Sequence, residues 1–145
     1  SDLAVLYFLY TDGYYVDDTP TLKTLGLAYR GSSMVIFADS IAQTCERQGG
    51  ELIQRRAALL KELTTMGVTI HEMGHMLGLV NITTPMVQDH EDTLHLNHCQ
   101  NPSCIMYWAN NRSSLVNLLK ATILEGGEEA QTFDDDCLAD LAAMR

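Results

Sequence analysis

The segment TIHEMGHMLGLVN, from Thr69 to Asn81, carries two histidines four positions apart. Residues at that spacing lie on one face of an α-helix, about one turn from each other. Two imidazoles so arranged can hold one zinc ion, and the glutamate beside the first histidine can act as a base toward water. Two protein ligands are too few for a catalytic zinc site, so the segment predicts a helix whose metal site is completed from elsewhere in the chain.

Each side of this predicted helix has its own role. His71 and His75 are the candidate zinc ligands, and Glu72, about 100° further round the helix, is the candidate general base. Gly78 stands where a helix would end. Apolar residues recur on the opposite side, at Met66, Ile70, Met73 and Leu77. We therefore expect a helix that is packed against the core behind and polar in front.

Composition and charge narrow the class of protein. The chain has 145 residues, of which 46% are hydrophobic and 19% are charged, enough to build the core of one domain. Its formal net charge of −10 argues against nucleic-acid binding, because phosphate contacts require basic patches. No stretch has the length and apolarity of a membrane-spanning helix. We expect a single monomeric domain over residues 1–145, without a nucleic-acid partner.

The N-terminal third of the chain predicts strands. Leu3–Tyr10 is apolar on both faces, which is typical of a central strand. Leu25–Ile41 predicts two short strands around the turn RGSS, and Met34–Phe37 is the stronger of them. Cys45–Gly50 predicts a loop or the end of a helix. Together with the helices that follow, these strands predict a mixed α/β (α+β) domain in which a small twisted sheet packs on helices.

The remainder of the chain is mainly helical in pattern. Apolar spacing is helical from Glu51 to about Leu79, although Gly67 weakens the middle, and two helices meeting near Thr65–Gly67 are an alternative. Leu115–Glu125 predicts a further helix. The last helix is predicted over the segment DDDCLADLAAMR, with Asp134 as its N-cap. A C-terminal helical part is therefore expected over about residues 113–145.

The candidates for the third zinc ligand lie in the polar segment Asn81–Cys104, which has no clear period and is long for a plain connection. It contains the remaining histidines, His90, His95 and His98, and the carboxylates Asp89, Glu91 and Asp92. His98 has the most informative neighbours, because it opens the stretch HCQNPSCIMY. His98 is the first choice for the third ligand, His90 the second, and a carboxylate or no further ligand remains open.

The combined pattern resembles a known family. HExxHxxG, followed by HC, four residues and C-x-M, is similar to the archaemetzincins, a branch of the metzincin clan of zinc peptidases. The resemblance implies a metzincin-like fold with an HExxH active-site helix and one catalytic zinc. It also implies His71, His75 and His98 as ligands and Glu72 as general base. Finally, it implies a sharp turn at Gly78 and a methionine turn beneath the metal at Met106.

The resemblance covers about residues 25–141 and is strong only at residues 71–78 and 98–106. Many relatives of the HExxH motif place the third ligand three residues after the glycine, where this chain has Asn81. Nineteen residues separate Gly78 from His98, where the family has very few. This difference predicts an insertion at about residues 81–97, on the lip of the cleft, so the third ligand is displaced along the chain rather than missing.

The cysteines allow several structures. In the resembled family four cysteines hold a second, structural zinc; Cys99, Cys104 and Cys137 match three of them, and Asp134 stands at the fourth position. A carboxylate can also ligate zinc. A disulfide among these cysteines and Cys45 is the competing expectation, and buried free thiols are a third. The cellular location depends on this choice, and an exported, periplasmic or cell-surface location is favoured over the cytoplasm.

The resemblance implies a zinc metallopeptidase that acts on peptides or proteins. Zinc would polarise the scissile carbonyl and present a water molecule, whose proton Glu72 would accept and pass to the leaving amine. Tyr107 is a candidate donor to the oxyanion, with simple packing as its alternative role. The substrate would pair as an added strand with the edge strand near Ala28–Met34. A catalytically degenerate, zinc-containing peptide-binding module and a purely structural zinc are the alternatives.

Overall fold

Three strands form one small mixed sheet. The computed structural model describes residues 5–50, 52 and 54–144. Strands β1 (Tyr7–Thr11), β2 (Gly26–Tyr29) and β3 (Ser33–Phe37) lie in the spatial order β1-β3-β2. β3 runs parallel to β1 and antiparallel to β2. β2 and β3 flank a turn in which Arg30 and Gly31 have φ values of 53° and 66°, so the prediction of two strands around RGSS is confirmed.

The prediction of a central strand at Leu3–Tyr10 is wrong. β3 is the middle strand, and β1 lies at an edge of the sheet. Its side chains are exposed on both faces, with Tyr7 at 65% and Phe8 at 52%. An apolar run usually marks burial on both faces, but within the described residues no layer covers β1. Positions 3 and 4 lie outside the described residues.

Four α-helices and one short 3₁₀ helix complete the mixed α/β fold. They are α1 (Ala38–Gly49), α2 (Gln54–Met76), the 3₁₀ helix (Trp108–Asn111), α3 (Ser113–Leu124) and α4 (Asp135–Ala143). No helix of the described chain is long and apolar enough to cross a membrane. The sequence prediction missed most of α1, which begins inside the stretch assigned to strands and ends at the predicted helix end. The two C-terminal helices are confirmed to within two residues.

α2 is one continuous helix, so the alternative of two helices meeting near Thr65–Gly67 is wrong. Gly67 stays in the helix because α3 packs closely there: an added Cβ would lie 3.2 Å from Leu115 Cδ2. The helix runs between two apolar clusters. The first cluster contains Leu60, Leu63 and Val68 with residues of α1, α3 and β3, and the second contains Leu79, Ile105 and Met106.

The division of α2 into a core side and a polar side is also wrong. Met66 is 45% exposed, whereas His71 and Glu72 are 0% and 1% exposed. Ile70 and Leu77 are only partly buried and pack against the second apolar cluster. The histidines therefore lie on a deeply buried side of the helix, between the two clusters, rather than on a solvent-facing surface.

A tight reversal ends α2. Gly78, with φ of 76°, donates from its N–H to His75 O at 3.0 Å, and Leu79 N–H donates to Gly74 O at 3.1 Å. This pair of hydrogen bonds is a Schellman motif, which satisfies the last carbonyls of a helix. Val80 and Asn81 are also left-handed, with φ of 51° and 64°. The chain therefore turns sharply at Gly78, as predicted.

Residues 81–97, which the resemblance predicts to be an insertion and which are called the inserted segment below, form turns and bends. It returns to the domain through short backbone pairings on either side of Cys99. Glu91 forms an antiparallel bridge with Cys99, and Cys99 forms a parallel bridge with Tyr107. These pairings bring the end of the insertion alongside the chain that follows it and place His98 next to α2.

Candidate metal centres

Three histidines converge at the C-terminal end of α2. His71 and His75 come from α2 and His98 from the end of the inserted segment, and their ligand nitrogens all lie within 4.8 Å of one another. The Nε2 atoms of His71 and His75 are 3.2 Å apart. Two nitrogens on a tetrahedral zinc with bonds of ~2.0–2.1 Å are separated by ~3.3 Å. The structure thus brings the three predicted ligands together at a spacing that fits such an ion.

Backbone carbonyls set the orientation of two of these rings. His71 Nδ1 lies 2.7 Å from Ile105 O, and His98 Nδ1 lies 3.0 Å from Leu96 O. Since a carbonyl oxygen only accepts hydrogen bonds, the proton of each ring is on Nδ1 and the Nε2 lone pair is free to bind a metal. His98 Nε2 is buried and has no hydrogen-bond partner among the described residues, as expected for a ligand atom.

Burial favours the neutral form of all three imidazoles. Desolvation lowers the pKa of His71 to about 4 and that of His75 to about 3, and it also lowers the pKa of His98. Metal ligation requires the deprotonated ring. The triad is therefore in its ligating form at neutral pH, without competition from protons.

Glu72 is the acidic group of this site. It is 1% exposed, and its Oε1 has no hydrogen-bond partner in the described chain. Desolvation raises the pKa of Glu72 to about 7, against the opposing effect of a backbone hydrogen bond from Ala28. β2 lies close over this carboxylate, because a Cβ on Gly26 would be 2.5 Å from Val68 Cγ1 and 3.0 Å from Glu72 Cγ. The arrangement provides a carboxylate whose pKa suits proton transfer near neutrality.

A cleft of about 540 Å³ lies over His75, His98 and Glu72. Leu27, Ala28 and Arg30 line it from β2 and the turn after it, and Glu72, His75 and His98 also line it. The inserted segment contributes Ile82, Thr83, Leu96 and Asn97. The insertion therefore forms one wall of the cleft, opposite the strand edge.

Met106, the residue predicted to form the methionine turn, packs against α2 at Gly74, between His71 and His75. It is fully buried in the second apolar cluster and follows Ile105, whose carbonyl accepts the hydrogen bond from His71. A Cβ on Gly74 would overlap Met106 Sδ and lie 3.0 Å from Phe133 Cε1. The glycine between the two helical ligands thus permits close contact between α2 and Met106.

Asn110 holds the backbone at Cys104 and Ile105 by hydrogen bonds, and the sequence analysis did not identify it. Its side chain is 3% exposed, and its Nδ2 donates to Cys104 O at 2.8 Å and to Ile105 O at 3.1 Å. It therefore helps to hold the carbonyl that orients His71. An asparagine in a short polar stretch has no local signal of such a role, because its partners are set by the tertiary fold.

Tyr107 and His95 lie beside the site. Tyr107 is partly buried and packs near Trp108, with ring centroids 5.8 Å apart, and it is not among the described residues that line the cleft. Its role as an oxyanion donor stays a prediction. His95 stacks on Trp108 at 4.1 Å and pairs with Asp92, so it does not join the histidine triad.

A second cluster of potential ligands lies in the second apolar core. One ligand atom from each of His90, Cys99, Asp134 and Cys137 lies within 4.8 Å of the others. Cys104 Sγ is 3.6 Å from Cys137 Sγ. Hydrogen bonds from Cys137 and Cys99 lower the pKa of the Cys104 thiol to about 4, and the same closeness raises the pKa of Cys99 to about 12. A divalent cation would offset the repulsion that opposes further thiolates.

This cluster bears on three predictions. The structure brings Cys99, Cys137 and Asp134 together, and Cys104 adjoins them through Cys137. All four cysteines of the chain are free, and Cys45 lies elsewhere, with its sulfur 3.6 Å from Thr64 Oγ1. His90, the second choice for the third ligand of the histidine site, is 1% exposed and belongs to this cluster instead of the histidine triad. Both clusters could hold a metal ion.

Comparisons of the chain with protein-family models, with curated proteins and with solved structures find no match. The function of this mixed α/β domain is therefore inferred from its fold and from the geometry of its two clusters of potential metal ligands.

Proposed function

We propose that this chain is a zinc-dependent metallopeptidase of the archaemetzincin type. The observation that carries the proposal is the convergence of His71, His75 and His98 beside the Glu72 carboxylate, whose Oε1 has no hydrogen-bond partner among the described residues. Three imidazole ligands with an adjacent acidic residue suit a catalytic zinc that keeps one coordination position open. Neutral imidazoles and the matching nitrogen spacing support zinc as the metal.

The residues of the cleft would have separate roles in catalysis. His71, His75 and His98 hold the ion, which supplies Lewis-acid polarisation of a carbonyl and of water. Glu72 accepts a proton from the attacking water and donates it to the leaving amine. In the metal-free chain burial raises the pKa of Glu72 to about 7, and a bound cation would lower it and favour the ionised, proton-accepting form. The Glu72 side chain projects from α2 and is buried beneath β2, and this burial limits the access of bulk solvent to the carboxylate.

The substrate would bind as an extended peptide along β2. One edge of β2 is paired with β3, and Leu27 and Ala28 line the cleft from this strand. Main-chain pairing with a strand edge gives affinity without demanding one sequence. The substrate-binding edge is accordingly assigned to Gly26–Tyr29, whereas Met34, included in the sequence prediction, lies in the middle strand β3.

The second cluster would hold a structural zinc. Its cysteines are buried in the second apolar cluster, and none of its ligands is among the described residues that line the cleft. Three sulfurs with an imidazole or carboxylate are a donor set that zinc accepts in closed structural sites. A disulfide among the same cysteines is the alternative that the experiments below exclude or establish.

The test combines metal content with turnover. The purified chain is expected to bind zinc and to cleave an unfolded protein mixture, with the fragments identified by mass spectrometry. Glu72→Gln is expected to keep its zinc and to lose at least about 100-fold in kcat, the usual effect of removing a general base. His98→Ala is expected to lose the cleft zinc, whereas His95→Ala, a nearby histidine outside the triad, keeps it.

Two results would contradict the proposal. If the zinc-loaded parent protein cleaves no faster than Glu72→Gln but both bind extended peptides, the chain is a degenerate peptide-binding module. If His98→Ala retains all the zinc of the parent protein, the third ligand is wrong and the cleft is not the zinc site.

A further inference from the structure

We propose that the buried sulfur cluster is a Cys₃His zinc centre whose fourth ligand is His90, held in place by Asp140. The inserted segment would thus supply the ligand that Asp134 no longer provides. This inference rests on the proposed structural zinc but is independent of peptidase activity.

The hydrogen bonds of His90 leave one ring nitrogen facing the sulfurs. His90 Nε2 lies 2.9 Å from Asp140 Oδ2, and both side chains are buried, at 1% and 0% exposure. The Asp140 carboxylate accepts a hydrogen bond from His90 Nε2–H, so the lone pair of His90 Nδ1 is free. Nδ1 lies 3.4 Å from Cys99 Sγ and 4.0 Å from Cys137 Sγ. A carboxylate behind a histidine is the usual partner of a zinc-binding imidazole.

These separations are those of ligands around one small ion. On a tetrahedral zinc with Zn–N bonds of ~2.0 Å and Zn–S bonds of ~2.3 Å, nitrogen and sulfur lie ~3.6 Å apart and two sulfurs ~3.8 Å apart. The two His90–sulfur distances bracket the first value, and the Cys104–Cys137 distance of 3.6 Å is close to the second.

The sulfurs also receive backbone hydrogen bonds of the kind that stabilise thiolates. Cys99 Sγ accepts from Asn101 N at 3.4 Å, and Cys104 Sγ accepts from Met106 N at 3.4 Å. Both bonds join a cysteine to the amide two residues later. Asp134 N lies 3.5 Å from Cys104 Sγ as a further donor.

Asp134 is already engaged elsewhere. Its Oδ1 accepts from Cys137 N at 3.0 Å, which caps α4, and its Oδ2 accepts from Asn101 Nδ2 at 2.9 Å. Although Oδ2 also lies 3.4 Å from Cys99 Sγ, ligation would compete with the hydrogen bond from Asn101. His90 Nδ1 has only sulfur neighbours, so His90 is the better fourth ligand.

A metal ion bound by the sulfur cluster would hold the inserted segment, which lines the cleft, in place and would thereby position His98. Gln100 N donates to His90 O at 2.9 Å, and Asp92 N donates to His98 O at 2.7 Å, so the two edges of the insertion are paired. His98 directly precedes the ligand Cys99. Val87 N also donates to Asp140 Oδ1, at 2.6 Å. Loss of the sulfur-bound zinc should therefore weaken metal binding by the histidine triad.

The test uses cobalt substitution of the purified full chain, because thiolate-to-cobalt charge-transfer bands arise only from the sulfur centre. Metal content by mass spectrometry and a thiol titration accompany the spectra. Asp140→Asn is expected to weaken metal binding at the sulfur centre about 10–100-fold, as the loss of a histidine partner does elsewhere. His90→Ala is expected to lose that metal, whereas Asp134→Asn retains it.

His90→Cys keeps the test decisive if His90→Ala does not fold. It is expected to retain the metal with about one third more charge-transfer intensity, since a fourth thiolate replaces the imidazole. The inference is overturned if His90→Ala binds the second metal as tightly as the parent protein with an unchanged spectrum. It is also overturned if Asp134→Asn alone abolishes binding, or if the parent protein has a disulfide and no thiolate bands.

Discussion

Gly74→Ala is expected to destabilise the domain and disturb the histidine triad, although it improves intrinsic helix propensity. Gly74 lies in α2 between His71 and His75. A Cβ there would overlap Met106 Sδ and lie 3.0 Å from Phe133 Cε1 and 3.1 Å from Met106 Cε. Met106 is fully buried, so it has no solvent-filled space into which to move.

The magnitude follows from two opposing effects. Replacing a glycine by alanine within a helix stabilises it by about 1 kcal/mol. Overpacking of a filled core costs about 1–3 kcal/mol and more in severe cases. The overlap with Met106 puts this site at the severe end, so a net loss of about 2 kcal/mol is expected. For a chain of this size that lowers Tm by about 4–8 °C.

The matched control is Gly67→Ala in the same helix. The nearest atom to its added Cβ is Leu115 Cδ2 at 3.2 Å, the far end of a side chain that can yield by a few tenths of an ångström. Chemical unfolding and zinc affinity are measured for both variants at the same free zinc concentration. The expected result is that only Gly74→Ala loses stability and zinc affinity. Equal stability and equal zinc affinity of the two variants would refute the packing argument.

Three further changes test the site. Because burial raises the pKa of Glu72 from 4.5 to about 7, its contribution to the stability of the metal-free protein should fall by about 3 kcal/mol as pH rises through that interval. The buried histidines, whose pKa values are lowered, act in the opposite direction in the parent protein and in Glu72→Gln alike, so the parent protein should lose about 3 kcal/mol relative to Glu72→Gln. Gly78→Ala, at φ of 76° and overlapping Thr83 Oγ1, should cost more than about 2 kcal/mol in chemical unfolding. Asn110→Ala removes two buried hydrogen bonds and should cost about 1–3 kcal/mol, unlike Asn111→Ala, whose Oδ1 has no partner among the described residues.

The part of the site that could be predicted from the sequence is local. Helical periodicity and the four-residue spacing place His71 and His75 together whatever surrounds them, and Asp134 caps α4 because its side chain reaches only the next turn. The resemblance added His98 and Met106, which lie far from α2 along the chain. The structure brings both of them to α2.

The remaining features depend on contacts that periodicity does not encode. A run of apolar residues predicted a strand at β1 correctly, but its position in the sheet depends on which strands pair with it. His90 lies in an irregular segment, and its burial follows from Asp140 and the sulfurs rather than from its neighbours. Asn110 donates to carbonyls five and six residues earlier, but only because the 3₁₀ helix turns its side chain back toward them.

The position of His98 shows what the fold requires of the residue that completes the histidine triad. Asn81 stands three residues after Gly78, but its left-handed backbone follows the reversal and its side chain donates to Glu91 Oε2 at 3.3 Å, within the insertion. A third ligand therefore does not need a fixed spacing from α2. It needs a segment anchored beside the residues that orient the triad. Pairing of Cys99 N with Met106 O at 2.9 Å supplies that anchor and fixes His98 one residue away. A long insertion is compatible with the site because it leaves this pairing intact.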